Sequence, residues 1–284
     1  MHPLKTLLLA SLGSIAFAVP AAAQIKTAAP SPGSELKQTV GVTGFTVKYS
    51  RPGMKEREIY GGLVPFGEVW RTGANAPTKI AFDTEIKFGG KPVPAGEYVL
   101  FTIPGADEWT VILYGDTKIA NAGLYDEKND TARITVKPVE LKTPVENFTI
   151  GFDDLRKGSA TMFLDWSNVR VPIAIEIDTD AFLTSSIDEA MKHMDTWGAG
   201  DYAAAAGFFE EKEPAKALEF MAKAVSMNEK AFYWQNAYAK MLAKQGKTEE
   251  AIKAAEQSLA TAKQNPGGDF GYVKLNEELL AKLR

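Results

Sequence analysis

The hydrophobic period of this chain changes once, near residue 180, and that change limits what the chain can fold into. Before it, apolar and polar residues alternate in short runs broken by glycine, proline and aspartate. "GFTVKYS" sets Phe45, Val47 and Tyr49 on one face and Thr46 and Lys48 on the other. "TKIAFDTEIKFGG" alternates through Ile80, Phe82, Ile86 and Phe88. "GEYVLFTIPG" and "WTVILYGD", separated by Ala106-Asp107-Glu108, read as a hairpin. "TARITVKPVE", "ENFTIGFDD", "GSATMFLDW" and "VRVPIAIEID" complete about nine strands. Two-residue alternation between turn formers is the pattern of half-buried strands. Many such strands without intervening helices predict an antiparallel sandwich or open barrel. Proline removes a ladder donor, so Pro104 and Pro172 are expected at strand ends or edges.

After residue 180 the chain fills with Ala, Glu, Lys, Leu and Met, the strong helix formers. Pro214 suits the first turn of a helix whose apolar stripe is Ala217, Leu218, Met221, Ala224 and Val225. Gly246 punctuates between two helices, and Thr248 is the expected cap of a run through Ile252, Ala255 and Leu259. Further helices are expected at 186–197 and 271–283, giving five or six in all. Ala217 and Ala251 stand 34 residues apart, as do Ala224 and Ser258. Small residues at that period let paired helices approach closely, and the segment resembles tetratricopeptide repeats. It departs from them at Ala255, where an aromatic is usual, and lacks the closing proline after Ser226.

The first residues suggest an address. His2 and Lys5 precede an apolar run from Leu7 to Val19, and Ala21-Ala22-Ala23 follows. That order describes a secretory signal peptide over 1–23, cut after Ala23, and predicts a periplasmic or extracellular protein. The expected division is a β domain at 24–180 and a helical region at 181–284. There is no cysteine, which removes disulfides and thiolate chemistry. From Gln24 to Asp180 there are 18 basic and 21 acidic side chains, and from Ala181 onward 13 and 15. Neither half carries the basic stripe of a nucleic-acid binder. No segment after the leader is apolar for long enough to span a bilayer.

Several strings in the first half are distinctive: Tyr49-Ser50-Arg51-Pro52, Gly61-Gly62-Leu63-Val64-Pro65, Val69-Trp70-Arg71-Thr72-Gly73-Ala74-Asn75, Pro94-Ala95-Gly96 and Phe101-Thr102-Ile103-Pro104. On these the chain resembles the DUF2911 family over about 31–178. The resemblance implies an exported all-β domain, sometimes followed by helical repeats, and no assigned reaction. The segment Leu113–Tyr125 lacks the tryptophan that the resemblance implies there.

Chemistry is constrained by what is missing. His193, the one histidine after the leader, lies in the helical half, so a Ser-His-Asp triad or a histidine-rich zinc site cannot be built in the β domain. No cofactor, metal site or catalytic residue is assigned. Asp126–Asp130 offers oxygen donors without a full calcium-loop motif. Carboxylates such as Glu68, Asp83 and Glu97 support a hydrolase of carbohydrates or esters only if two converge across a cleft. Arginine is more informative: of six in the β domain, Arg51, Arg57 and Arg71 fall within 21 residues. Each fork can grip a carboxylate or phosphate.

Two readings of that stretch compete. Arg51, Arg57, Tyr60, Glu68, Trp70, Arg71 and Asn75 line a site for a small anionic or carbohydrate ligand. Alternatively, Arg71 pairs with Glu68 or Asp83 and Trp70 fills the core, making the stretch a structural corner, the favoured reading. In the helical half Tyr233 is the expected contact for a peptide or protein partner. The leading expectation is a non-enzymatic binding or protein-interaction protein of the envelope, and the alternative is the carboxylate-dependent hydrolase.

Overall fold

A computed structural model describes residues 27–284. The expected leader lies outside the described residues. In chain order the strands are β1 (Gly33–Val40), β2 (Thr43–Ser50), β3 (Thr78–Phe82), β4 (Ile86–Phe88), β5 (Lys91–Val93), β6 (Gly96–Ile103), β7 (Trp109–Tyr114), β8 (Asp130–Val136), β9 (Val139–Asp153) and β10 (Ser159–Glu176). They form two antiparallel sheets, ordered β1-β2-β3-β6-β7-β8 and β5-β4-β10-β9. The sheets do not close into a barrel, so the sandwich alternative holds.

The alternating residues explain the packing. Phe45, Val47, Ile80, Leu100, Val111 and Leu113 of the larger sheet share one buried core with Phe88, Phe148, Ile150, Met162, Leu164, Ile173 and Ile175 of the smaller. Each such side chain contributes about 1.5–3 kcal/mol on burial. The outer face of the larger sheet is covered too. There Val99, Phe101, Ile112 and Tyr114 pack under Ile119, Ala122, Tyr125 and Val69. Burial on both faces is why β6 and β7 read as nearly continuous apolar runs.

Several details differ from the sequence expectation: β5 was not expected, and "GSATMFLDW" and "VRVPIAIEID" run on as the single strand β10. β1 was not among the expected strands, because its outward residues are exposed and Leu36 is only half-buried. "TARITVKPVE" breaks at 137–138 into β8 and the start of β9. Pro172 is neither at an end nor on an edge, since β10 lies between β4 and β9. It falls after the last β9 partner, Arg170↔Val139, and before the first β4 partner, Ile175↔Phe88. The missing donor is therefore not needed there. Pro104 follows the end of β6 as expected.

Six helices follow: α1 (Thr179–Met191), α2 (Ala199–Phe209), α3 (Pro214–Met227), α4 (Phe232–Lys244), α5 (Thr248–Lys263) and α6 (Tyr272–Leu283). Pro214 opens α3 as expected. Thr248 is the first residue of α5 rather than its cap; Lys247 takes that place without a side-chain bond. Ala217, Ala224, Ala251 and Ser258 are all buried between helices. The region also buries polar groups in a chain of bonds. Asn236 Nδ2 donates to Asn276 Oδ1 at 2.8 Å, Asn276 Nδ2 to Ser258 Oγ at 2.8 Å, and Ser258 Oγ to the Phe232 carbonyl at 2.7 Å. Among the described residues no helix is long and apolar enough to cross a membrane.

Candidate binding cleft

The chain between β2 and β3 closes one end of the sandwich. Arg51 anchors its start, donating from Nε to the Phe148 carbonyl at 3.0 Å and from Nη2 to Thr149 Oγ1 at 2.7 Å. Backbone bonds Phe148 N–Pro52 O and Met54 N–Glu146 O extend that attachment to β9. Ile59 and Val64 then insert into the core. Trp70 bridges to Thr102 of β6. Its ring stacks on Trp166 at 5.8 Å and 18°, and meets Phe148 edge-on at 5.2 Å. Tyr60 packs edge-on against Trp109 at 4.9 Å. Burial, with a smaller effect from Asp165, pushes the Tyr60 phenol above its ordinary value.

A sharp corner follows Trp70. Thr72 has φ 53°, Gly73 149° and Asn75 61°. Positive φ is unusual for a β-branched residue, and Thr72 is held there by local bonds. Its carbonyl accepts from Thr78 Oγ1 at 2.6 Å, and its hydroxyl meets Thr102 Oγ1 at 3.1 Å. Gly73 is required, because a Cβ there would stand 3.1 Å from both the Ser50 carbonyl and Thr78 Oγ1. Strain of this kind beside a cleft is a pointer to function.

The cleft has a volume of about 280 Å³. Arg57, Glu68, Trp70 and Arg71 line it, joined by Trp166, Leu63 and Val69. Arg51, Tyr60 and Asn75 do not. Arg51 is spent on β9, Tyr60 belongs to the aromatic core, and Asn75 Nδ2 donates to the Ser31 carbonyl and Ser50 Oγ. Trp166 had no local signal beyond its strand pattern; it arrives from β10.

The expected ion pair of Arg71 does not form. Its Nη1 donates to the Asn75 carbonyl at 2.9 Å, and the side chain is otherwise exposed. Arg57 is held by its own loop, through the Met54 and Gly53 carbonyls. Among the described residues, the ion-paired arginines of the β domain are Arg133, Arg156 and Arg170. Asp83 accepts from the Gly44 amide, and Glu97 pairs with Lys79 at 2.9 Å. Of the three weighed carboxylates, only Glu68 reaches the cleft.

Two other polar clusters are internally satisfied. Asp126 caps the short turn at Lys128, and Asp130 accepts from the Tyr125 hydroxyl and from Arg133. On the outer face of the smaller sheet Phe163 lies over bare Gly151, where a Cβ would come within 2.4 Å of the ring. Arg170 stacks 4.1 Å from that ring centroid and grips Asp165 at 2.8 and 2.7 Å. Tyr233 is exposed on the first turn of α4, between Phe232 and Trp234.

Residues 31–175 match the family described as Protein of unknown function (DUF2911), just over half of the chain. No curated protein matches the chain.

Proposed function

The chain belongs to the DUF2911 family, and from that premise we propose that it is a non-catalytic binding protein of the cell envelope whose β domain holds a small anion. The observation that carries this reading is the pair of arginines, Arg57 and Arg71, beside the cleft without a carboxylate partner among the described residues. Trp70 spends its indole N–H on the Gly73 carbonyl at 3.1 Å, so toward a ligand it offers a ring and not a donor. An anion bound by the guanidinium N–H groups that Arg57 and Arg71 keep free suits that set, with the electron-rich indole face left for an apolar part of the ligand. The hydrolase alternative draws less support, because Asp83 and Glu97 lie apart from Glu68.

The helical region is proposed as a tetratricopeptide-like partner-binding module. Its support is the buried 34-residue pairing of Ala217 with Ala251 and Ala224 with Ser258. A depression of about 650 Å³ lies along α1 and α2, floored by Leu183, Ile187, Ala205 and Phe208. Tyr233 does not line it and stands as a separate contact on α4.

The test uses protein recovered from the envelope, with its amino terminus read by mass spectrometry and expected at Gln24. Calorimetric titration follows with glucuronate, benzoate and inorganic phosphate, and with benzyl alcohol as the neutral control. At least one anion is expected to bind, about tenfold or more weaker after Arg71→Ala, since bonds to charged groups are worth about 1.5–3 kcal/mol. No anion binding, or binding indifferent to both arginines, defeats the reading.

A further inference from the structure

A second cavity, of about 240 Å³, lies in the helical region between α3, α4 and α5. Gln235, Tyr238 and Leu242 of α4 line it, as do Glu250, Ala254 and Gln257 of α5. Steps of three and four residues place each trio on a single helix face. Val225 of α3 closes one side.

Gln235 is the unusual member. It is 1% exposed, and its Nε2 donates to the Glu229 carbonyl at 2.7 Å. That bond fixes the amide orientation, since exchanging its nitrogen and oxygen would set two acceptors against each other. Oε1 is then left without a partner, the one such buried side-chain atom among the described residues. The neighbouring buried polar groups Asn236, Ser258 and Asn276 are all paired. A lone unmet acceptor in a region that otherwise satisfies its polar groups points to a missing donor.

The rest of the lining narrows that donor. Glu250 accepts only and Lys253 donates only, and neither is among the ion pairs formed by the described residues. Gln257 does both. Glu250 faces Tyr238, whose phenol is held above its ordinary value by burial and then by that carboxylate. The set is net neutral, mixes donors with acceptors, and includes one aromatic side chain. A hydroxyl group serves either role, so several hydroxyls on one compact neutral body satisfy this lining without leaving a charge unpaired.

We propose that the cavity between α3, α4 and α5 is a binding site for a neutral polyhydroxylated molecule of monosaccharide size. One hydroxyl donates to Gln235 Oε1, others bridge Glu250 and Lys253, and the apolar side of the ring meets Tyr238 and Leu242. This site is separate from the anion cleft and does not depend on it.

The experiment titrates the full chain with glucose, galactose and mannose, with cyclohexanol and valine as controls. Saturable binding of at least one hexose is expected. Glu250→Gln and Gln235→Leu should each weaken it by about tenfold, the worth of one or two hydrogen bonds. Arg71→Ala should leave it unchanged. Gln235→Leu removes the unmet acceptor together with the bond to the Glu229 carbonyl, so its hexose binding is read on chain that stays folded. If that variant fails to fold, the exposed positions carry the test through Glu250→Gln and Lys253→Met. Absence of hexose binding, meaning a cavity filled by water alone, overturns the proposal. So does binding of valine in place of sugar, or hexose binding that survives the α5 variants.

Discussion

Trp70 and Thr102 exchange both of their backbone hydrogen bonds, Trp70 N to Thr102 O at 2.7 Å and Thr102 N to Trp70 O at 3.0 Å. β3 pairs with β6 only as far as Thr78↔Leu100. Trp70 takes up the edge of β6 that β3 leaves free, so one residue stitches the long loop into the larger sheet.

That stitch separates the roles of two neighbours. Trp70→Ala loses the stitch's side-chain packing and should cost about 3–5 kcal/mol, as for a large aromatic removed from a core. Arg71→Ala loses one exposed bond to a carbonyl and should stay within about 0.5 kcal/mol. Urea unfolding of the full chain measures both. A large loss for Arg71→Ala would return that residue to the structural corner and take it from the cleft.

Tyrosine ionisation offers a second check. Burial pushes the phenols of Tyr60 and Tyr125 above the ordinary 10.0, and Asp165 and Asp130 respectively act in the same direction. A raised folded value means the native state keeps its proton longer than the unfolded chain. The stability this supplies is complete below pH 10.0 and is lost as pH rises beyond it. Of nine tyrosines, these two should stay protonated in a phenolate absorbance titration until the β domain unfolds. Ionisation of all nine in one step before unfolding would contradict it.

The polar chain through α4, α5 and α6 gives a third. Asn276→Leu strands the Asn236 Nδ2 donor and deprives Ser258 Oγ of one of its two bonds. An unmet buried group costs about 1–3 kcal/mol. The helical circular dichroism signal should melt earlier, with the β-domain near-ultraviolet signal unaltered. An unchanged helical midpoint would show that α6 is held by its apolar residues alone.

The sandwich was legible because Phe45, Val47, Ile80 and Phe82 alternate strictly and all face one core. β1 was not, because an edge strand with a solvated outer face carries little alternation in hydrophobicity. The cleft was half legible. Arg57, Glu68, Trp70 and Arg71 were found by their crowding into one loop, and the loop does bring them together. Crowding also drew in Arg51, Tyr60 and Asn75, whose bonds turn them to β9, to the aromatic core and to Ser31. Sequence distance sees neighbours but not direction. Trp166 shows the converse, since a residue delivered by a remote strand leaves no mark near the site it joins.

The pairing of β4 with β10 sets an order on assembly. The larger sheet draws only on residues 33–136, so every strand it needs exists once Val136 has been made. The β4–β5 hairpin is made earlier, yet its partners Ile175 and Glu176 come near the end of the β domain. In a chain that emerges from its amino terminus, the free edge of β4 must wait unpaired while β9 and β10 appear. Closing a contact so distant in sequence is slow, and an unpaired strand edge invites association in the interval. A nascent chain halted before Ile175 would therefore hold a finished sheet beside an orphaned hairpin, and would be the species most in need of a chaperone.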